Sequence, residues 1–382
     1  MLKNPSTSVK ITTLLDIKEV VESMRGDLNR QSHLFSYFSP ESRVPAGHPL
    51  RTIKQYADQA LGRLSGKLGV MYSDTGRPSI PPERLLKAKL LIALYTVRSE
   101  RLFCEMLDYN LLFRWFLDMD VEEESFDAST FSKNLGRLLE ARRADEFFAH
   151  VVKLCREQQL LSDDHFSVDG TLIEAWASHK SFRPKDGDDE DGNNFHGQTR
   201  RNDTHQSTTD PESKLYRKGA GKEAKLSFGA QVLMENRNGL CVGVAVTDAL
   251  IQESEAALNL IRQHKQARRT IKSVGADKGY HNKKFVSGLK RHRITPHIAC
   301  ITGRRVEGLD GRTTHSRGYQ ISQTVRKRIE QIMGWTKTIG GMRKTRHKGV
   351  ARTDAAMKFV CTAYNLLRLS RLRPLTPELC PA

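Results

Sequence analysis

The spacing of apolar residues predicts helices throughout the first half of the chain. Apolar side chains recur at helical intervals in residues 17–27 and 50–68, and a Gly/Pro-rich stretch comes after each of these two segments. Pro81 and Pro82 lie near the expected first turn of the next helix, where proline is tolerated. That helix is apolar on most sides at its centre, so we expect it to be buried among other helices.

Two further apolar stretches continue this pattern, at residues 105–120 and 131–159. Ser129 or Thr130 is the expected cap of the second stretch. We therefore interpret residues 79–160 as an all-helical module. It is either a helix-turn-helix-like DNA-binding unit or a module for dimerisation or packing, and the sequence singles out no recognition helix.

The periodicity changes at residue 165, where HFSVDGTLIEAWA alternates between apolar and polar side chains as a strand does. Residues 179–225 are polar and charged and contain almost no aliphatic side chains. Such a segment cannot bury enough apolar surface to fold alone. We therefore expect an inserted loop that is mobile unless DNA or a metal ion orders it.

Strand patterns resume at residues 226–235 and 240–248, on either side of an NRNG turn, and predict a hairpin. Helix and strand patterns then alternate towards the end of the chain. Three antiparallel strands followed by alternating helices and strands predict an α/β (α+β) domain, with a mixed five-stranded sheet and helices on its faces. This order resembles that of an RNase H-like domain.

The length of 382 residues allows two or three domains. The patterns divide the chain into an N-terminal helical and linker region (1–78), the helical module (79–160) and an RNase H-like domain (161–382) that carries the insert. Hydrophobic content of 38% and charged content of 28% are typical of a soluble globular protein, and neither a membrane span nor a secretory signal is evident. The six cysteines occur singly, which argues against a structural zinc site and for reduced thiols in the cytoplasm.

The formal net charge of +18 is the strongest signal in the composition. Residues 301–350 contain twelve Lys or Arg and three acidic residues, so half of the net charge lies in this segment. Clustered positive charge favours a partner with a phosphate backbone, because binding releases condensed counterions. We therefore expect nucleic acid as the partner, and a generic basic surface is the alternative.

Residues 322–348 have the pattern of a helix with one carboxylate among cations. At about 100° per residue, Arg326, Glu330 and Lys337 fall within roughly 40° of one another on a single face. One acid and two bases on one face suit a metal ion beside a polyanion. The alternative is an ordinary i,i+4 ion pair of Arg326 with Glu330, which contributes about a few tenths of a kcal/mol.

Three acids stand at matching places in the order of elements. Asp169 is expected at the end of the first strand, Asp277 at the end of the fourth, and Glu330 on the late helix. If those two strands are neighbours, the aspartates meet at the end of the sheet and the helix can pack beside them. Three carboxylates within reach repel one another, and divalent ions relieve that repulsion. We therefore expect two Mg²⁺ ions, or Mn²⁺, about 3.5–4 Å apart.

Each of the two aspartates also has a purely structural interpretation. Asp169 begins a typical hairpin-turn dipeptide, and Asp277 is a typical loop or capping residue. Other acids compete with them, and we rank these as surface or turn residues: Asp163, Asp164, Glu174, Asp248 and Glu253. Three further side chains are more typical of core or loop positions than of base stacking or proton transfer: Trp176, Trp335 and His281.

Seven stretches of the chain match the motifs of a known family. They are GRPSIPPERLL (76–86), RSERLFCEMLDYNLLFRWF (98–116), STFSKNLGRL (129–138), SVDGTLIEAWASHKSF (167–182), DPESKLYRKGAGKEAKLSF (210–228), GADKGY (275–280) and RKRIEQIMGWTKTIGGMRKTR (326–346). In these stretches the chain resembles bacterial insertion-sequence DDE transposases, of the family named for insertion sequence five. The first three match that family's helical N-terminal region, and the resemblance covers most of the chain after about residue 43.

The resemblance implies a DNA transposase, which hydrolyses phosphodiesters at the ends of its element and transfers the freed 3′-hydroxyl to target DNA. Asp169, Asp277 and Glu330 would be its catalytic, metal-binding triad. The implied partners are terminal inverted repeats, target DNA and a second copy in a paired-end complex, at the nucleoid of a bacterial cytoplasm and without a membrane. A metal-dependent nuclease of the same fold and a non-catalytic, transposase-derived DNA-binding protein are the alternatives.

The resemblance also implies roles for the basic stretch. Arg326 and Lys337 would belong to the family's signature Tyr–two–Arg–three–Glu–six–Lys, with Arg326 bracing the site and Lys337 holding a terminal phosphate. The tyrosine of the signature falls on Gln323, so this sequence departs from the signature there. Three further cations of the stretch are expected to bind DNA: Arg343, Lys344 and Arg346.

Overall fold

The prediction of a helical first half is confirmed, and its helices are shorter and more numerous than the apolar pattern indicates. The structure is a computed structural model, and it describes residues 39–72, 75, 79–185, 200–219, 221–267 and 270–374. Within these residues, the chain from Pro40 onward forms one compact unit. The helix expected at residues 17–27 lies outside the described residues.

Among the described residues, eight helices precede the first strand. They are α1 (Pro40–Arg43), α2 (Pro49–Gly62), α3 (Ser65–Gly69), α4 (Pro82–Leu94), α5 (Glu100–Tyr109), α6 (Leu111–Phe116), α7 (Ala128–Glu140) and α8 (Arg143–Glu157). Three stretches that were each expected to form one helix are therefore divided in two: residues 50–68, 105–120 and 131–159.

Local sequence explains the divisions. The Asn110 side chain accepts a hydrogen bond from a backbone N–H in the first turn of α6, and so starts a new helix where α5 ends. Arg142 adopts a left-handed backbone conformation, with φ of 56°, between α7 and α8. Asp127, rather than the expected Ser129 or Thr130, caps α7, because its Oδ1 accepts from the backbone N–H of Thr130 at 2.8 Å.

The second half of the chain is built on a mixed six-stranded sheet, one strand more than predicted. The strands are β1 (His165–Glu174), β2 (Phe182–Pro184), β3 (His205–Ser207), β4 (Lys214–Tyr216), β5 (Lys225–Glu235), β6 (Leu240–Asp248), β7 (Ser273–Ala276) and β8 (Thr295–Ile298). Strands β2 and β3 pair with each other, and the main sheet has the order β4–β5–β1–β7–β8 with β6 beside β5. Strands β5 and β6 form an antiparallel set with β1, whereas β7 and β8 are parallel to it. Without β4, the sheet has the order β6–β5–β1–β7–β8, which is the expected RNase H-like order. Strand β4 comes from the insert and is the additional strand.

Helices cover both faces of this sheet. They are α9 (Glu253–Gln266), α10 (Lys283–Arg291), α11 (Gly311–Thr314), α12 (Arg317–Val325), α13 (Ile329–Thr338) and α14 (Val350–Leu372). Helix α9 packs on the face of Phe166, whose ring centre lies 5.8 Å from that of His264. Helix α12 approaches the opposite pleat, where Ser322 faces Gly275.

Helix α14 joins the two halves of the chain. It packs on β6 and also on α2, α4, α7 and α8, so the helical module and the sheet share one hydrophobic core. The Asn365 amide in this helix accepts from the backbone N–H of Cys241 at 2.9 Å and donates to its carbonyl at 2.7 Å. Among the described helices, none is long and apolar enough to span a membrane. The five described cysteines are free thiols.

The ends of the polar insert are better ordered than expected. Strand β4 pairs with β5, and β2 pairs with β3. Asp210 Oδ1 accepts a hydrogen bond from Gly349 N at 3.1 Å, and Glu212 Oε2 accepts one from Val350 N at 2.6 Å. Both carboxylates therefore satisfy the free N–H groups that start α14. The expectation of a loop without structure is wrong for the described parts of the insert, which these polar contacts and the burial of Phe182 hold in place.

The late helix ends earlier than the predicted range of 322–348. Helix α12 continues through a 3-10 turn at Arg326–Arg328 into α13, which ends at Thr338. After Thr338 the chain forms turns and bends, and an isolated parallel bridge joins Lys344 to Glu174 of β1. The prediction that Arg326, Glu330 and Lys337 share one face assumed a continuous α-helix. The 3-10 turn is wound more tightly, so it changes the angle between Arg326 and the other two residues.

Candidate active site

Two of the predicted acids meet at equivalent positions of neighbouring strands. Strand β1 pairs in parallel with β7 so that His165 faces Ser273, and the same offset of 108 residues relates Asp169 to Asp277. Asp277 directly follows β7, as expected. Asp169, however, lies within β1, where this strand continues alongside β5 alone, so it is neither at a strand end nor in a turn. Because paired strands are about 4.8 Å apart, both carboxyls open onto the same edge of the sheet.

Asp169 occupies an environment that disfavours a charged carboxyl. Burial, together with the nearby charges of Asp277 and Glu253, raises its pKa to about 6. Two groups act in the opposite direction: Gly170 N donates to Asp169 Oδ1 at 2.8 Å, and Lys218 lies close enough to favour the carboxylate. Burial is the largest of these effects and the neighbouring acids add to it, so a bound cation would favour the charged carboxylate.

A buried hydrogen bond lies beside these acids. Tyr280 is fully buried in the turn after Asp277, and its hydroxyl donates to Gln231 Oε1 at 3.0 Å. Gln231 faces Gly170 across the β1–β5 pair, and a Cβ at position 170 would lie 2.5 Å from Gln231 Nε2. Glycine is therefore required at 170 because a side chain crosses it, and not because the chain turns there.

The helix with the basic signature approaches β7 closely at Gly275. A Cβ there would lie 2.9 Å from Ser322 Oγ and 3.1 Å from Arg326 Cβ. Arg326 Nε donates to Gln323 Oε1 at 3.0 Å, and Gln323 Nε2 donates to the His297 carbonyl oxygen at 3.0 Å. Gln323, at the tyrosine position of the signature, therefore connects Arg326 to strand β8.

Glu330 is exposed on α13 and forms no hydrogen bond or ion pair with another described residue. The ordinary ion pair with Arg326, which was the alternative interpretation, is therefore absent. Within the described ranges, no three His, Cys, Asp or Glu side chains lie close enough together to hold a metal ion. The structure thus brings Asp169 and Asp277 together and does not join Glu330 to them.

Two residues that the sequence did not single out as functional lie at this site. Glu253 begins α9; burial raises its pKa, the charge of Lys218 lowers it, and the charge of Asp277 raises it. Lys218 belongs to the insert, just after β4. In the sequence, only the position of Lys218 in the motif at 210–228 indicates a functional role. The sequence analysis ranks Glu253 as a surface or turn acid. Only its position at the start of the helix after the hairpin indicates that it could lie near the site.

Lys337 and Lys218 form a cationic counterpart to the acids. Burial and the positive charges of Lys218 and Arg343 lower the pKa of Lys337, whereas the charge of Asp169 raises it. Neither lysine forms an ion pair or hydrogen bond with another residue that the structure describes. Two lysines that repel each other and have no carboxylate partner make a suitable site for an anion such as a phosphate.

The remaining predicted DNA contacts lie on the segment after α13. Lys344 Nζ lies 3.2 Å from Glu174 Oε1, and Lys225 Nζ lies 3.3 Å from Glu174 Oε2. Arg343 and Arg346 are exposed, and their side chains have no hydrogen bond or ion pair with a described residue. These cations extend the positive surface from Lys337 along β1.

Most of the other singled-out residues have structural roles. His281 is buried, and its Nδ1 accepts from Ile301 N at 3.2 Å. Trp335 packs edge-on against Tyr364 with ring centres 5.5 Å apart. Three of the competing acids form surface ion pairs or a turn hydrogen bond: Asp163, Asp164 and Asp248. Trp176 differs from them, because it is exposed and not in the core.

Two family models match the chain. One, described as Transposase domain, matches residues 38–137, and the other, described as Transposase DDE domain, matches residues 161–366. The second match spans more than half of the chain and contains all three predicted acids. No curated protein matches the chain.

Three solved structures are distantly similar. The first, a piggyBac transposase synaptic complex with hairpin DNA, has 9% sequence identity, 87% coverage of this chain, 78% coverage of that chain and a TM-score of 0.41. A Mos1 transposase paired-end complex with left transposon end has 10% identity, coverages of 73% and 85%, and a TM-score of 0.19. A pre-cleavage Mos1 transpososome has 9% identity, coverages of 85% and 97%, and a TM-score of 0.17. All three TM-scores are below 0.5, so the assignment rests on the family models.

Proposed function

The chain belongs to the transposase DDE domain family, that of insertion-sequence DDE transposases, and on this premise we propose that Asp169, Asp277 and Glu330 are its catalytic, metal-binding residues. The protein is a DNA transposase. In the proposed reaction, water attacks a phosphodiester at each end of the element and the 3′-oxygen leaves as a hydroxyl. That hydroxyl then attacks a phosphodiester of target DNA, so one P–O bond forms as another breaks, without a covalent enzyme intermediate.

The observation that supports this proposal most directly is the pair of carboxyls that β1 and β7 bring together, one of them in a buried environment that disfavours its charge. Asp169 and Asp277 occupy equivalent positions on adjacent parallel strands, and the pKa of Asp169 is raised to about 6. Carboxylate oxygens in this arrangement are hard ligands that fit Mg²⁺ or Mn²⁺. The two aspartates would hold two such ions with Glu330, whose carboxylate has no competing partner among the described residues. When bound, the ions would polarise the phosphodiester and make water a stronger nucleophile.

The cations beside the acids would bind and orient the DNA. Lys337 and Lys218 flank Asp169 and would hold non-bridging phosphate oxygens next to the reacting bond. Arg326, held by Gln323, would brace the turn that precedes α13. The exposed cations of the segment after α13 would contact the DNA backbone: Arg343, Lys344 and Arg346.

The proposal is tested by incubating the purified full chain with labelled DNA that carries the flanking ends of its own gene, with and without Mg²⁺. Discrete cuts at those ends and joined products are the expected result. Cuts without joining would instead identify a nuclease of the same fold. Tight binding without any Mg²⁺-dependent product would identify a DNA-binding protein without turnover.

Alanine at Asp169, Asp277 or Glu330 should abolish cleavage and leave DNA binding largely intact. Full nicking activity in any one of these variants would contradict the assignment. Lys337→Ala should weaken the binding of cleaved ends and flatten the dependence of log K on log salt by about one unit, as expected for one lost phosphate contact. An unchanged slope would argue against that contact.

We further propose that two copies pair the two ends of the element as a homodimer, in a bacterial cytoplasm at the nucleoid. The net charge of +18 supports close association with DNA. The packing of α14 on the helices of residues 79–160 supports a packing role for that module, with DNA binding on its exposed side. The mass of the protein in solution, measured with and without end DNA, tests the dimer, and a complex with one copy per two ends would contradict it.

A further inference from the structure

Trp176 follows strand β1 and is held in an exposed position. Its two neighbours, Ala175 and Ala177, are buried, and Ala175 N donates to the Leu226 carbonyl oxygen at 2.8 Å. The backbone is therefore anchored on both sides, and the indole is turned outwards with 53% of the residue surface exposed. A tryptophan normally gains stability by burying its large apolar surface. Packing within this chain therefore does not account for the indole at this position.

A cation is fixed beside the indole. Lys344 Nζ lies 5.9 Å from the ring centre and 3.2 Å from Glu174 Oε1, and Lys225 Nζ lies 3.3 Å from Glu174 Oε2. The backbone bridge between Lys344 and Glu174 limits the movement of this cation. Trp176, Lys225 and Lys344 therefore form a fixed surface, the Trp176 platform. The indole N–H has no hydrogen-bond partner among the described residues, so it is also available to a ligand.

The platform adjoins a cavity of about 500 Å³ that Lys344 also lines. Its walls include apolar side chains such as Ile92 and Leu139. Arg98 and Arg346 line it as well, and neither side chain forms a hydrogen bond or ion pair with a described residue. The unpaired guanidinium groups in this adjoining cavity are complementary to a phosphate chain, and the exposed ring of the platform is complementary to its bases.

We propose that the Trp176 platform binds an unpaired nucleotide of the DNA substrate, with its base stacked on the indole and its flanking phosphates at Lys225 and Lys344. This inference rests on the proposed function, because it takes DNA as the ligand. Every nucleobase offers an aromatic face, so the contact tolerates any sequence. A base inside a duplex has both faces covered by its neighbours, so the platform distinguishes unpaired from paired DNA.

The position of the platform fixes where the unpaired nucleotide lies. Trp176 is seven residues beyond Asp169, which corresponds to roughly 20 Å along an extended strand. At about 3.4 Å per nucleotide of one DNA strand, this distance is roughly six nucleotides. The contact is therefore outside the reacting centre and belongs to the path by which one strand enters or leaves it.

Tryptophan fluorescence and affinity, measured on the full chain in EDTA, test the proposal without any catalytic step. A single-stranded oligonucleotide should quench the emission of the wild-type protein. Trp176→Phe, which keeps a stacking ring and the other tryptophans, should still bind but lose most of that quenching. Trp176→Ala should weaken single-strand affinity roughly 5- to 100-fold. It should change the affinity for a blunt duplex by less than about twofold.

Tyr109→Ala is the matched control, because Tyr109 is an exposed aromatic residue at the end of α5, and it should change neither affinity. Equal losses of single-strand and duplex affinity in Trp176→Ala would overturn the proposal, as would unchanged quenching in Trp176→Phe. Failure of the wild-type chain to bind single strands would also overturn it. Failure to cleave DNA, with single-strand binding and quenching as described, would count against the proposed function alone, since this assay contains no metal ion.

Discussion

The strand pair β1–β7 and the helix α13 hold their acids in different ways. Asp169 and Asp277 follow from the backbone register, and a shift by one residue would turn each to the other face of the sheet. Glu330 is carried by α13, which continues from α12 and its 3-10 turn, and these approach the sheet through side-chain packing at Gly275. Packed helices can move by about 1–2 Å in functional transitions. The strand acids are therefore preorganised before any ligand binds, whereas the position of the helix acid is adjustable.

The strongest test of this comparison neutralises two helix acids, Glu253 and Glu330, one at a time. Both are candidates for the third metal-ligand position. The charge of Glu253, on α9, reaches Asp169, yet the proposal gives the third ligand position to Glu330. Glu330→Gln should slow cleavage roughly 1,000-fold or more, because metal-ion catalysis supplies several kcal/mol of transition-state stabilisation. Glu253→Gln should slow it about 10-fold, because this acid would act through its neighbours. Single-turnover cleavage rates measure both effects.

The same two variants also define the result that would contradict the assignment of Glu330. An inactive Glu253→Gln protein beside an active Glu330→Gln protein would transfer the third ligand position from α13 to α9. Binding of uncleaved end DNA should be retained by both variants, which separates a loss of chemistry from a loss of folding.

A methyl group at Gly275 should displace α12, and with it α13 and Glu330, while leaving the two strand acids in place. In Gly275→Ala, the new Cβ would meet Ser322 Oγ at 2.9 Å and Arg326 Cβ at 3.1 Å, so the helix must move outwards. We expect a loss of about 1–3 kcal/mol in the free energy of unfolding. Cleavage should fall roughly 100-fold, the effect of about 1 Å of misplacement. Denaturant unfolding and cleavage rates measure the two effects.

Gly318→Ala is the control for this experiment, because Gly318 lies on the same helix and a Cβ there would make an ordinary contact of 3.6 Å with the His297 ring. It should leave cleavage unchanged. Wild-type cleavage by the Gly275→Ala protein would mean that the helix approach does not position the third acid.

The charge on Asp169 should destabilise the metal-free protein at neutral pH. Its pKa is about 6 in the folded chain against 3.8 for an ordinary aspartate, so the folded state holds the proton more tightly. The contribution of this group to stability therefore falls as pH rises from about 4 to 6, and it stays low above that range. Asp169→Asn should raise the free energy of unfolding by about 1–3 kcal/mol at pH 7.5 and by much less at pH 4.5.

Urea unfolding in EDTA at the two pH values measures this effect, as the difference between variant and wild type. The difference is needed because burial lowers the pKa of His165 to about 4, so the contribution of His165 falls as pH drops below about 6.5. Asp163→Asn, at an acid that pairs with Arg156 on the surface, should show no such difference. A destabilised Asp169→Asn protein at pH 7.5 would contradict the disfavoured carboxylate charge from which the metal site is inferred.

The sheet could be predicted because its strands alternate apolar and polar residues. Its strand order could be predicted from the order of strands and helices along the chain. The position of Asp169 within its strand could not, because the Asp-Gly pair is typical of a turn. Its actual setting depends on Gln231, which crosses Gly170 from a strand some sixty residues later. The sequence predicts that Asp169 ends the first strand, whereas it lies within β1; its alignment with Asp277 comes from the parallel register of β1 and β7.

Two other errors have a common origin in tertiary contacts. The late helix was predicted to run to 348, although Gly341, with φ of 70°, follows its end at Thr338 and was a visible signal. The insert was predicted to lack structure, yet Asp210 hydrogen-bonds to the start of α14, 139 residues away. Neither the burial of Gly340 against Val360 nor this cap leaves a periodic pattern in the chain.

The smallest expected effect concerns the turn after β7. Tyr280→Phe removes the hydroxyl that donates to Gln231 Oε1 and leaves a buried acceptor unpaired, which should cost about 1–2 kcal/mol of unfolding free energy. Cleavage should stay within about twofold of wild type, because the lost hydroxyl bonds neither acid: the strand ladder holds Asp169, and Asp277 Oδ1 accepts from Gly279 N at 2.8 Å. Tyr319→Phe is the control, since Tyr319 is only half-buried and water can replace its hydrogen bond to the Ile298 carbonyl. A 100-fold slower Tyr280→Phe enzyme with near-normal stability would mean that the strand acids are also adjustable, and the distinction between strand and helix would fail.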